Sequence, residues 1–246
     1  MHNIWTIAQR EYRHFFISPI AYVFLVVTLL TLGGFFFLDI MVASQTMQYV
    51  PDIQRTLSLL VFPLLFLSVP VITMRTIAEE NRTGTLELLL TTPLSDWELV
   101  VGKWFGSFLF FLTAIALTWI YPIILNRLIS PGLDRGPLLA GYLGLILFVA
   151  SLTALGVMVS SLFNSQIAAL FATFGIVILF WVIGSPAQVM SPGIAADVLR
   201  YLSITDHFYN SFLVGVIRID DIIYYLSLTA FALLLGSVIV ETRRWR

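Results

Sequence analysis

The 246-residue sequence contains no cysteine and only one lysine, Lys103. Without cysteine there can be no disulfide framework, no thiolate-ligated metal and no thiol nucleophile. Charge is scarce as well: 11% of residues are Asp, Glu, Lys or Arg, against ~25% in ordinary soluble domains. With a net charge of -1 and no dense Lys/Arg cluster, the chain lacks a face that could track phosphates, so nucleic acid is not an expected partner. The three histidines, His2, His14 and His207, form no His-x-x-Glu-His or Glu-x-x-His pattern, and no metal site is expected. A phosphate-binding Gly-x-x-x-x-Gly-Lys loop is missing too, since Trp97 stands five residues before Gly102-Lys103 where the first glycine would be. If ATP drives this protein, another chain binds it.

What is abundant is apolar sequence. Hydrophobic residues make up 59% of the chain, and the mean hydropathy is +0.95. A spanning helix needs about 20 mainly apolar residues to cross roughly 30 Å of hydrocarbon. Charge-free runs of that length predict an all-α polytopic membrane protein, one transmembrane domain over residues 1–246, with six spans near 19–38, 57–74, 101–125, 138–162, 167–184 and 222–240. Between Gly136 and Ala196 there is no Asp, Glu, Lys, Arg or His, and Asn164-Ser165-Gln166 marks the turn between the fourth and fifth spans. Six spans place both termini on one side. Lys and Arg favour that side by eight to five, which predicts cytoplasmic termini and a multi-pass inner (plasma) membrane protein. No cleavable leader is expected, because the first apolar run is too long for one.

Three segments stay outside these spans. Residues 1–18 place Ile4, Ala8, Tyr12 and Phe15 on one helical face and Arg10 and Arg13 away from it, which predicts an interfacial helix along the inner leaflet. Residues 185–221 are too polar to span and too apolar for free solution, and a re-entrant helical hairpin in the outer leaflet satisfies both. Residues 75–100 form the one extended charged cytoplasmic loop. There Gly84 interrupts the chain, Thr85 can cap a short helix with Glu87 in its first turn, and Pro93 ends it. Ser95 and Glu98 then form a Ser-x-x-Glu capping box that opens the third span.

The span cores carry no ionisable residue, which argues against an ion pathway or an embedded enzyme. Asp39, Asp206 and His207, at or beyond the span ends, read as solvated or interfacial. Phe35 to Phe37, Trp119, Tyr121, Tyr201, Tyr224 and Tyr225 near span ends read as an aromatic belt, and Gly102-x-x-x-Gly106 as a helix-packing motif.

The run Glu80-Asn-Arg82-Thr83-Gly84-Thr85-Leu86-Glu87-Leu88-Leu89-Leu-Thr-Thr-Pro93-Leu-Ser95, followed by Glu98 and Gly102-Lys103, resembles the segment between spans two and three of type-2 ABC transporter permeases. Within that family, Tyr201-Leu-Ser-Ile-Thr-Asp-His207-Phe, Gly215-Val and Asp221-Ile-Ile-Tyr224-Tyr225 are most similar to permeases of the gliding-motility and nitrous-oxide-reductase-maturation kind. The resemblance implies a non-catalytic permease subunit of an ATP-driven exporter. Its expected partners are two cytoplasmic ATPase subunits that hold ATP and Mg, a second permease chain in a homodimer or heterodimer, and an extracytoplasmic auxiliary protein. ATPase coupling is then expected at Glu79, Glu80, Arg82, Thr83, Gly84, Thr85, Leu86, Glu87, Leu88, Leu89 and Pro93, with no cofactor on this chain. The competing readings are a scaffold that passes ATP-driven motion to an extracytoplasmic partner and a membrane-embedded lipid enzyme.

Overall fold

The computed structural model describes residues 2–45, 53–60, 66–84, 94–130, 132–191 and 193–244. Among them there is no strand. The helices are α1 (His2–Ile17), α2 (Pro19–Gln45), α3 (Ile53–Leu60), α4 (Phe66–Thr73), α5 (Ala78–Thr83), α6 (Asp96–Leu117), α7 (Ile120–Leu128), α8 (Arg135–Leu162), α9 (Gln166–Val182), α10 (Ile194–Leu202), α11 (Ile204–His207) and α12 (Ile219–Arg244). A 3-10 turn, Ser185–Gln188, precedes α10, and a single π-helical segment, Phe208–Phe212, follows α11.

Local chemistry sets several of these boundaries. Pro19 disfavours helical geometry at Ser18 and opens α2, so α1 stops at Ile17. The Ser95–Glu98 capping box forms as its sequence spacing requires: the Glu98 amide donates to the Ser95 hydroxyl at 3.3 Å, and the Ser95 amide to the Glu98 carboxylate at 3.3 Å. Pro122 lacks an N–H and crowds the Thr118 carbonyl one turn earlier, which accounts for the break between α6 and α7. The Asp134 carboxylate caps α8 by accepting from the Gly136 amide at 2.9 Å.

Five helical stretches are long and apolar enough to cross a bilayer: Ala21–Gln45, Asp96–Leu128, Arg135–Leu162, Gln166–Gln188 and Ile219–Arg243. They coincide with five of the six expected spans and run past the expected ends. The other expected span, 57–74, falls on α3 and α4, with 61–65 outside the described residues.

Helix α8 is the centre of the packing: 78% of its apolar window is buried, against 28% for α2 and 22% for α9. Small residues let neighbours approach it. A Cβ on Gly144 would lie 2.5 Å from Cβ of Phe212, and one on Gly156 would collide with Thr73 of α4. Phe110, Phe111, Phe148, Phe208, Phe212 and Tyr225 fill the core between α6, α8, α12 and the 204–212 segment.

The aromatic-belt expectation fails for Phe36, which is buried in the core, and for three tyrosines. Tyr121, Tyr224 and Tyr225 are buried, and their hydroxyls donate to the carbonyls of Leu29 at 2.6 Å, Leu202 at 2.9 Å and Ile204 at 2.7 Å. A buried phenol needs such a partner; the Leu202 carbonyl lies at the end of α10, the Ile204 carbonyl at the start of α11 and the Leu29 carbonyl within α2. Phe35, Phe37, Trp119 and Tyr201 are exposed.

The close approach at Gly144 predicts that Gly144→Ala destabilises the fold by about 1–3 kcal/mol through overpacking against Phe212. Equilibrium unfolding in mild detergent measures it, and an unchanged midpoint would show that the two segments are not in contact.

Candidate functional site

The site begins with a packing fact about α1. Asn3 donates to the Glu98 carboxylate at 3.3 and 3.2 Å, a Cβ on Gly102 would lie 2.7 Å from that of Ile7, one on Gly106 would lie 2.6 Å from that of Glu11, and the Phe15 and Phe110 rings are 5.3 Å apart. Positions 3, 7, 11 and 15 thus meet 98, 102, 106 and 110. Both helices advance by four together, so α1 runs parallel to α6 and side by side with it. The glycines make this approach possible, and they serve the N-terminal helix. The predicted inward face is the one used: Ala8 is buried, Ile4, Tyr12 and Phe15 are half-buried, and Arg10 and Arg13 face out.

That register carries Glu11 to Lys103. The lysine is 1% exposed, and its ammonium donates to Oε1 of Glu11 at 2.8 Å and to the Thr76 carbonyl at 2.7 Å, and pairs ionically with Oε1 of Glu80 at 2.8 Å. Three oxygens thus surround the ammonium, one on α1, one on α5 and one on the turn before α5. Arg10 lies 3.6 Å from Glu11 and 3.7 Å from Glu80 and balances the second carboxylate from the surface.

The turn itself, residues 74–77, is clamped from the other side by α8. The Ser160 hydroxyl donates to the Met74 carbonyl at 3.2 Å and accepts from the amides of Ile77 at 3.1 Å and Ala78 at 3.0 Å. Ile77 supplies no side-chain cap, so Ser160 caps α5 from another helix. Asn81 then donates to the Phe163 carbonyl at 3.2 Å, and Arg243 of α12 holds the same turn through Asn164 at 2.6 Å and the Leu162 carbonyl at 2.8 Å.

Of the residues expected to couple to an ATPase, Glu79 and Glu80 are half-buried on α5, whereas Arg82, Thr83 and Gly84 are exposed at its end. Gly84 closes α5 with φ 70°, a left-handed conformation that favours glycine. Thr85, Leu86, Glu87, Leu88, Leu89 and Pro93 lie outside the described residues.

Asp39 and His207 are both buried against partners near helix ends, which corrects the solvated side of their reading as solvated or interfacial. Asp39, within α2, pairs with Arg55 of α3 at 3.1 Å. His207 lies between Nδ1···Oδ1 Asp221 at 2.6 Å and Nε2···O Tyr201 at 2.9 Å, with its ring stacked on Tyr224 at 4.0 Å. The Tyr201 carbonyl can only accept, so Nε2 carries a hydrogen and one further proton is shared with Asp221. With both ring nitrogens engaged, His207 ties the 201–207 segment to α12. Among the described residues no group of three or more His, Asp or Glu is placed to hold a metal.

An all-helical chain whose long apolar helices keep their charges paired near helix ends is a multi-pass membrane protein. A family model described as ABC-2 family transporter protein matches residues 40–214, and the chain belongs to that family. It is similar to the probable multidrug ABC transporter permease YbhR of Escherichia coli (strain K12) and to its counterpart in Escherichia coli O157:H7. Identity to each is 28% over 113 residues, covering 44% of this chain. The match spans 28% of the length of these curated relatives.

Replacing Lys103 alone leaves two half-buried carboxylates facing one another, with only the longer Arg10 contacts to balance them. Lys103→Met is expected to cost about 3–5 kcal/mol, whereas Lys103→Met with Glu11→Gln and Glu80→Gln recovers most of it. Detergent unfolding of the two variants checks this, and equal losses would show that the carboxylates do not depend on the lysine.

Proposed function

We propose that this chain is the membrane permease subunit of an ATP-driven ABC exporter, with hydrolysis carried out by a separate cytoplasmic ATPase and no catalysis by the chain itself. The observation that carries the reading is the root of the 75–100 loop: α5 emerges from the Lys103 and Ser160 contacts and presents Arg82, Thr83 and Gly84 outward. A surface built on so fixed a base suits a partner that pushes or pulls on it. Membership of the ABC-2 family and the absence of a phosphate-binding loop support the same division of labour.

In this reading six spans cross the inner membrane, with α3 and α4 contributing to the second, both termini cytoplasmic, and 185–221 forming a re-entrant hairpin on the far side. Two ATPase subunits, each holding ATP and Mg, dock on the loops of two permease chains, a homodimer or a heterodimer. The subtype is the gliding-motility or nitrous-oxide-reductase-maturation kind, in which the 201–225 motifs and an extracytoplasmic auxiliary protein belong together. One observation favours a second reading, a scaffold that passes motion to that auxiliary protein: Val189 and Ile194 on the outer segment are 89% and 85% exposed. Transport by proteoliposomes, set against remodelling of the partner, separates the two.

Co-purification tests the coupling assignment. The wild type is expected to bring down an ATPase in two copies with two permease chains. Proline cannot adopt the positive φ of Gly84, so Gly84→Pro with Glu87→Lys is expected to lower ATPase retention by at least about tenfold, some 1.4 kcal/mol. Undiminished retention and coupled hydrolysis would place the docking surface elsewhere.

A further inference from the structure

The chain breaks its helical path at residues 74–77, between α4 and α5, and this break is gripped by side chains from two other helices. Four backbone groups of the break, the Met74 and Thr76 carbonyls and the Ile77 and Ala78 amides, are satisfied by Ser160 of α8 and Lys103 of α6. A helix of six residues has too few internal bonds to hold its own direction. Where α5 points is therefore decided by what holds its root. Lys103 also reaches the α1 carboxylate Glu11, and no other ion pair among those described joins α1 to α5 except the longer Arg10–Glu80 contact at 3.7 Å.

We infer that Lys103 is a mechanical pin: it makes α1, α5 and the first turns of α6 one rigid body, so that a displacement applied beyond α5 moves α1 with it. Without the pin, α5 keeps its Ser160 clamp to α8 but loses its tie to α1 and α6, and the displacement no longer carries α1 with it. The inference deepens the proposed coupling role and rests on that reading for the source of the displacement. The pin itself is a property of this chain alone.

The absence of cysteine leaves the chain free of native thiols, so spin labels can be placed by single Cys substitutions. Gln9 on α1, Arg82 on α5 and Leu128 at the end of α7 are exposed. Labels at 9 and 82, in this chain alone in lipid nanodiscs, are expected to give one narrow distance distribution. In the Lys103→Met, Glu11→Gln, Glu80→Gln variant, which strands no buried charge, that narrow distribution is lost. A narrow distribution in the variant would overturn the pin.

In the complex that co-purifies with the ATPase, addition of Mg-ATP is expected to shift the 9–128 and 82–128 distances together while 9–82 stays constant. In the triple variant only 82–128 should shift. If 9–128 still follows, α1 is driven by another route and the inference fails. If Mg-ATP moves neither distance in the wild type although the ATPase is bound, the coupling reading fails, while the measurement on the chain alone still decides the pin.

Discussion

An ammonium group withdrawn almost wholly from water is tolerable only when its lost hydration is replaced donor by donor, since the effective penalty in proteins is several kcal/mol per ion. Around Lys103 two hydrogen bonds and two carboxylates replace it, and each partner constrains a different part of the chain. Glu11 reaches it only if α1 lies parallel to α6 in the 3–98, 7–102, 11–106 register, and that register closes only over glycines. Glu80 reaches it only if α5 turns back toward α6. The Thr76 carbonyl is turned toward it in a segment where the helix is interrupted. The N-terminal helix, the root of the charged loop and the start of α6 thus share one requirement.

The same economy recurs at the other helix ends. Asp39 with Arg55 and His207 with Asp221 each pair a buried ionic group on a long helix with one on a neighbouring element. Such pairs add little net stability when desolvation is counted, yet removing one member leaves a buried charge uncompensated. They therefore discriminate between arrangements more than they strengthen any one of them. In a molecule whose interior is otherwise mainly apolar side chains and uncharged Ser and Thr, which pack in many similar ways, that discrimination fixes which helix ends meet.

Much of the architecture was legible because the bilayer imposes length and apolarity, and those are one-dimensional properties. The five long helices, the inward face of α1 and the Ser95–Glu98 capping box all follow from spacing within a single element. The ionic contacts were not legible, because residues 11, 80 and 103, or 207 and 221, meet only through tertiary packing. The charge-free runs also stop at Asp39, Lys103 and Asp221, whereas the helices that carry these residues continue through them. One signal was available for Lys103: Glu11 lies on the same helical face as Ile4, Ile7, Ala8 and Phe15, and a carboxylate on an apolar face asks for a buried cation. With a single lysine in the chain, the candidates were few. The buried tyrosines had no such signal, since a phenol near a span end is equally compatible with a belt or with a carbonyl partner.

Rigidity in this fold is distributed unevenly. Helix α8 is packed on nearly every side, whereas α5 has six residues and borrows its cap, its direction and its charge balance from α8, α6 and α1. A segment held in this way cannot be displaced by itself: either its contacts hold and the neighbours move, or they break and leave two amides, two carbonyls and the half-buried Glu80 carboxylate unpaired. Each buried orphan costs about 1–3 kcal/mol, more when charged, so several at once exceed what a small bending motion could recover. Motion of α5 with its neighbours is therefore the less costly course, and the polar residues at its root are what make it so.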